Sequence, residues 1–325
     1  MGWLKRFDRF LLAIIAAAVT ASLLPAQGAM VTVVDWATKA AVAVLFFVYG
    51  ARLKPEQALA GLKHWRLHLT ILGLTFVVFP LIGWGLQVLS PWLLSPSLYA
   101  GVLYLTLVPS TVQSSINFTS IAKGNVAGAI VSASASNMLG VVLTPLLCWA
   151  LMTTSGGLTI DPSSILDIVG QLLVPFVLGQ LSRRWTAEWI TSHPRLKLFD
   201  NGVIVLVVYS AFSAGMREHM WQQVEALDLV IVIGVCLVLL AVMLWGSHWL
   251  AVRLGFNRED VIAIQFCGTK KSLATGLPMA SVLFAGSPVG LLVLPLMIFH
   301  QAQLMACGSL ASHYAKQAPD EVVPA

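Results

Sequence analysis

The chain has 325 residues, of which 58% are hydrophobic and only 10% charged. No soluble core of this size needs that much apolar sequence, so a water-soluble globular protein is excluded and an all-α polytopic membrane protein is expected. The formal net charge is +5, but the basic residues are scattered between apolar spans, which reads as topogenic charge and not as a nucleic-acid surface.

The four cysteines, Cys148, Cys236, Cys267 and Cys307, all lie in apolar spans. Their spacing fits neither a metal site nor a disulfide framework. The chain carries no nucleotide-binding motif, so an ATP-driven pump is not expected. No cofactor or protein partner is expected either; membrane lipid surrounds the spans. Cys267 and His300 come nearest to a catalytic set. They lie in different helices, and no enzyme activity is expected.

Residues 1–10 carry Lys5, Arg6 and Arg9 ahead of an apolar run over 11–24. That order also fits a signal peptide, but the charge bias and the repeat described below favour an uncleaved helix 1. Helix 2 is predicted over 32–53, followed by a basic loop with Lys63, His64 and Arg66. Helix 3 is predicted over 67–89, with a kink expected at Pro80. Helix 4 starts near Ser97 and is interrupted. Pro109 removes a backbone donor, and eight polar side chains follow between Ser110 and Ser120. Lone Ser and Thr residues in membrane helices usually back-bond or pack, whereas a cluster after a proline points to a site. Helix 5 opens at Lys123 and runs to about 152. Ser132 and Ser136 share one of its faces, and both close packing and ligand contact remain open for them.

Helix 6 is predicted over 164–181, helix 7 over 199–215 and helix 8 over 227–254, with a strongly basic loop at 183–197. Helix 9 begins at Arg258, with carboxylates suited to a helix N-terminus. It is interrupted over 265–279, where Gly268 sits beside Lys270 and Lys271. On an insertion scale each lysine at a helix centre costs about 2.5–3.5 kcal/mol. Charge on irregular backbone at that depth is tolerated only inside protein or along a cavity. The stretch therefore reads as a broken helix at a solute or ion site. Helix 10 is predicted over 289–314, with a polar patch at His300, Gln301 and Gln303. A disordered cytoplasmic tail is expected over 315–325.

The halves echo one another. In each, the fourth helix is broken, a Gly-containing turn follows, and a fifth helix comes next. Tyr49-Gly-Ala-Arg at the end of helix 2 matches Ala214-Gly-Met-Arg at the end of helix 7. Ten transmembrane helices are thus expected as two inverted five-helix repeats, residues 1–153 and 161–314, joined by a loop at 154–160. Interrupted segments at matching positions point to a transporter site. With helix 1 starting inside, nearly all Lys and Arg fall on one side. Arg217 is the clear outside exception. Both termini are expected in the cytoplasm.

These features resemble the bile acid:sodium symporter superfamily, and more closely its bacterial SBF-like branch, related to animal solute carrier family 10 member 7. The resemblance runs from helix 1 to helix 10. It is carried by Ala122-Lys-Gly-Asn-Val-Ala after the first break and by Cys267-Gly-Thr-Lys-Lys-Ser-Leu-Ala-Thr-Gly-Leu-Pro-Met at the second. It implies helices 4 and 9 broken and crossing at mid-membrane, between a panel of helices 1, 2, 6 and 7 and a core of helices 3–5 and 8–10. It also implies a secondary transporter in a bacterial inner membrane, moving a small organic anion with sodium. Ser115 matches a sodium-contacting hydroxyl, with Asn117 and Thr119 near it. Gln265 stands where sodium symporters carry an acidic residue, Ala133 where they carry a hydroxyl, and Lys270 and Lys271 where they carry uncharged polar residues.

Three roles for the lysines stay open. One is an ammonium in the place of a cation, coupling transport to protons or making it sodium-independent. Another is a cavity-facing charge that attracts the anion, helped by the half-helix N-terminus at Ser272. The third is a structural lysine held by carbonyls of the opposite break. The candidate ion or coupling residues are Ser114, Ser115, Asn117, Thr119, Ser132, Gln265, Thr269, Lys270 and Lys271, with sodium the one metal considered. The candidate substrate residues are Pro109, Ser110, Thr111, Gln113, Ser272, Thr275 and His300. A membrane regulator or scaffold without net transport is the alternative from a different class.

Overall fold

The computed structural model describes residues 9–52, 64–90, 92–152, 169–193, 196–217, 225–285 and 289–317. Several expected features lie outside those residues: Lys5 and Arg6, Lys63, the 154–160 loop, the start of helix 6, Arg195, and residues 318–325 of the tail. Among the described residues every regular element is helical. In chain order these are α1 (Arg9–Leu23), α2 (Ala29–Arg52), α3 (Trp65–Leu89), α4 (Pro96–Leu107), α5 (Val112–Ile121) and α6 (Val126–Met152). They continue with a π-turn at Val169–Leu173, then α7 (Val174–Ser192), α8 (Leu196–Arg217), α9 (Ala226–Arg253), α10 (Arg258–Gly268), α11 (Leu273–Leu283) and α12 (Val289–Gln317). By length and composition six can cross a membrane: α2, α3, α6, α8, α9 and α12.

Two boundaries differ from expectation. The irregular stretches are short: Val108–Thr111 between α4 and α5, and Thr269–Ser272 between α10 and α11. Most of the polar cluster after Pro109 is helical, and within that helix Thr119 Oγ1 bonds back to Ser115 O at 2.8 Å. Residues 315–317, expected in the tail, continue α12, whose last turn carries Lys316, a favourable charge at a helix C-terminus.

Pro80 does more than kink α3. Residues Leu74–Val78 form a π-turn in which Phe79 N–H bonds to Leu74 O. In that register the carbonyl of Thr75 faces the position of Pro80, which has no N–H to give. Thr75 O is left as a buried acceptor inside an unbroken helix.

Helices α1, α2, α7 and α8 pack as one group, through α1–α8, α2–α7 and α2–α8. The rest pack around α10 and α12, through α3–α4, α4–α12, α5–α6, α9–α10 and α9–α12. α8 touches α11 and α12 and joins the groups. The bonds Arg66–Leu254 O and Arg258–Tyr314 O gather the ends of α3, α9, α10 and α12 on one face.

The contact of α2 with α7 is made by reciprocal glycines. A Cβ on Gly50 would run into Phe176 O, and one on Gly179 into Phe47 O. Small residues let backbones approach this closely in lipid. Gly50→Ala and Gly179→Ala are each expected to cost about 1–3 kcal/mol through overpacking, read as a lower melting temperature in detergent. Gly234→Ala, with nothing within 4 Å of its Cβ position, serves as the neutral control.

Candidate functional site

A helix that stops inside a membrane leaves carbonyls that need donors. At the end of α4 each of five successive carbonyls has one. Thr106 O and Val108 O accept from Lys271 Nζ at 2.7 and 2.9 Å, and Leu107 O accepts from Thr144 Oγ1 at 2.9 Å. Pro109 O accepts from Ser272 N–H at 2.8 Å, and Ser110 O from Asn137 Nδ2 at 2.6 Å. The end of α10 is served in the same way. Gln265 O accepts from Thr269 Oγ1 at 2.5 Å, Phe266 O from Ser115 Oγ at 3.3 Å, and Cys267 O from Ser110 Oγ at 2.6 Å. The two interruptions therefore meet and satisfy one another.

Lys271 is fully buried and is the centre of this arrangement. Besides the two α4 carbonyls its ammonium donates to Thr75 O at 3.0 Å, the acceptor freed by Pro80. Phe79 covers it, with Nζ 4.2 Å from the ring centroid. Its own peptide is clamped by Gln303, which accepts from Lys271 N–H at 2.9 Å and donates to Lys271 O at 2.8 Å. Thr111 Oγ1 also donates to Lys271 O, at 3.0 Å. His300 Nδ1 lies 2.8 Å from Gln303 Nε2.

Beside the interruptions lies a cavity of about 970 Å³. Its inner wall is made by the first residues of two helices: Thr111, Val112, Gln113 and Ser114 of α5, and Ser272, Ala274 and Thr275 of α11. Ser272 caps α11 by accepting from Thr275 N–H, and Thr275 Oγ1 donates to Asn137 Oδ1 at 2.8 Å. Helix N-termini carry partial positive charge. The far end holds Tyr49, Arg52, His193 and Asp200, with Arg52 and Asp200 ion-paired.

The chain matches the family described as the SBF-like CPA transporter family over residues 8–316. It is 49% identical over 319 residues to a Pseudomonas aeruginosa protein, uncharacterized protein PA2026, covering 96% of this chain and 94% of the relative. It is 46% identical over 322 residues to the putative symporter YfeH of Escherichia coli, covering 98% and 96%. It is 31% identical over 314 residues to sodium/bile acid cotransporter 7-B of Xenopus laevis, covering 94% and 91%. The chain belongs to the SBF-like CPA transporter family. It is accordingly a multi-pass membrane transporter, and its family is one of transporters and not of enzymes.

In this SBF-like transporter the candidate residues divide. Thr111, Gln113, Ser114, Asn117, Ser272, Thr275 and His300 line the cavity. Pro109 and Ser110, expected to touch substrate, are buried in the wall instead. Ser110 is consumed by Cys267 O, and Pro109 packs where a Cβ on Gly140 would meet it at 2.6 Å. The nine ion candidates do not converge. Ser132 bonds His68 Nδ1 at 2.7 Å. Gln265 turns away, donating to Leu244 O and accepting from Tyr314 Oη at 2.8 Å. Neither lysine faces the cavity. Among the described residues no group of three or more His, Cys, Asp or Glu is placed to hold a metal.

Sequence reasoning missed Arg52 and Asp200 as cavity residues and Thr75 as a partner of Lys271. Pro80 was the available signal for the last. Replacing the ammonium strands three buried carbonyls, each costing about 1–3 kcal/mol. Lys271→Met is therefore expected to lower stability by about 3 kcal/mol or more, measured as a fall in the melting temperature of the purified protein. A variant as stable as the wild type would show that those carbonyls find other donors.

Proposed function

We propose that this protein is a secondary carrier of a small organic anion, working by alternating access in a bacterial inner membrane. The observation that carries this reading is the inner wall of the cavity, where the N-termini of α5 and α11 face one space. Paired half-helix N-termini favour a negative group without a fixed counter-charge. The volume of about 970 Å³ suits a small organic molecule.

In this reading α4–α5 and α10–α11 are the two broken helices of inverted five-helix repeats, crossing where their interruptions exchange hydrogen bonds. The basic helix ends at Arg52, Arg66, Arg253, Arg258 and Lys316 support both termini in the cytoplasm. The cavity, which reaches Arg52 and His193, then opens inward.

Lys271 is read as a tethered cation. Three main-chain carbonyls hold its ammonium as they would hold a bare ion, and transport then needs no sodium there. Sodium symport is the second reading, favoured by the name of the vertebrate relatives.

Thermal stability in sodium chloride against choline chloride, at matched ionic strength, separates the two. An ion bound at a hundred times its dissociation constant adds about 2.7 kcal/mol. The wild type is expected to show no sodium-specific rise. A rise that weakens in Ser115→Ala would establish the second reading. Counterflow of labelled carboxylates and sulfonates in proteoliposomes tests carriage itself. No flux for any of them, in sealed vesicles, would favour a regulator or scaffold.

A further inference from the structure

The second lysine of the break has different surroundings from the first. Lys270 is fully buried, and its ammonium has no hydrogen-bond partner among the described residues. Lys270 makes none of the bonds to Thr75 O, Thr106 O and Val108 O that hold Lys271. Its Nζ lies 3.8 Å from the centroid of Phe118 and 5.9 Å from that of Phe266. The ionisable groups acting on it are the thiols of Cys267 on α10 and Cys307 on α12, with no carboxylate among them. From α5 it meets the Phe118 ring. A desolvated cation–π contact contributes about 2 kcal/mol, less than the several kcal/mol an ion loses on leaving water. The ammonium is held in place but not compensated.

Phe118 forms part of the cavity wall, and Lys270 does not. The ring thus stands between the ammonium and the space beyond. Ser114 lies one turn earlier on the same face of α5. Its hydroxyl oxygen is also buried without a partner, and the residue lines the same cavity. Two unsatisfied polar atoms therefore flank one aromatic side chain.

We propose that Lys270 is a covered anion-recognition residue of this transporter. When the Phe118 side chain turns aside, a carboxylate or sulfonate of the solute takes its place on the ammonium. The anion accepts a second hydrogen bond from Ser114 Oγ at the N-terminal turn of α5. This rests on the organic-anion reading and names the residue that reads the charge. The lysines then divide the work: Lys271 serves the carbonyls of the break, and Lys270 serves the solute.

The test needs no knowledge of the natural solute. Phe118→Ala vacates a phenyl-sized space beside the ammonium. Benzoate is the probe, because it is small enough for that space and its carboxylate is the group that the ammonium is proposed to bind. Neutral benzamide at equal concentration and matched ionic strength is the control. Benzoate is expected to raise the melting temperature of Phe118→Ala by about 2–4 °C over benzamide, and the gain is expected to vanish in Phe118→Ala/Lys270→Met. Equal effects of the two compounds, or a gain that survives Lys270→Met, would overturn the proposal. Phe118→Val is used in the same way if Phe118→Ala does not fold. Independently, Lys270→Met alone is expected to be at least as stable as the wild type, because it removes an uncompensated buried charge. A loss as large as that of Lys271→Met would mark Lys270 as structural and sink the idea. Failure of the carrier reading shows separately, as absent counterflow.

Discussion

The ammonium of Lys271 is the interaction on which the two interruptions depend. It joins α3, the end of α4 and the stretch between α10 and α11 through three main-chain carbonyls. Two of those carbonyls exist because α4 ends at Leu107, and the third because Pro80 and the π-turn release Thr75. Each would otherwise be a buried acceptor without a donor, and together they would cost several times the about 1–3 kcal/mol of one. The charge is equally dependent on the carbonyls, since an ammonium at that depth needs partners. Freed carbonyls and a buried lysine are each costly alone and compatible only together.

This mutual requirement explains what was legible in the sequence. Pro109 and Gly268 marked the interruptions, and two lysines in an apolar span could only be internal. Which of the roles each lysine plays was not legible, because it depends on which neighbouring carbonyls are free. The polar cluster over 110–120 read as a ligand site by its density alone. Part of it lines the cavity and part serves the backbone: Ser110 and Ser115 donate to the end of α10, and Thr119 bonds its own helix. A hydroxyl that fills a ligand site and one that fills a backbone vacancy are the same letter. They differ only in which acceptor a second segment, more than 150 residues away, brings to them. Pro80 carried more information than the kink expected of it, since a missing N–H both bends a helix and frees an acceptor.

The pairings that shape the far end of the cavity were out of reach for a related reason. Arg52 and Asp200 are separated by 148 residues, and each alone reads as an ordinary helix-end charge. Gly50 and Gly179 read as ordinary helix glycines until their backbones are seen in contact. Long-range pairs of this kind are set by how distant helices fold onto each other, and composition does not encode them locally.

The distribution of bonds between the helix groups bears on how the two sides of the cavity move. Arg52 bonds Asp200, Ala26 bonds Ser213, Arg217 bonds Ala26, and Tyr209 bonds Leu24. All four join members of the group formed by α1, α2, α7 and α8. The bonds around Lys271 and Gln303 join members of the other group. α8, which meets α11 and α12, carries buried apolar residues that include Ile204, Val207, Val208 and Ala211. Apolar surfaces shear past one another at smaller cost than a hydrogen-bonded seam, because no donor has to be abandoned. Each group is thus stapled internally by directional bonds. That division supports the alternating access proposed for transport, in which the satisfied interruptions would move as one unit with the cavity wall at Phe118 and Ser114.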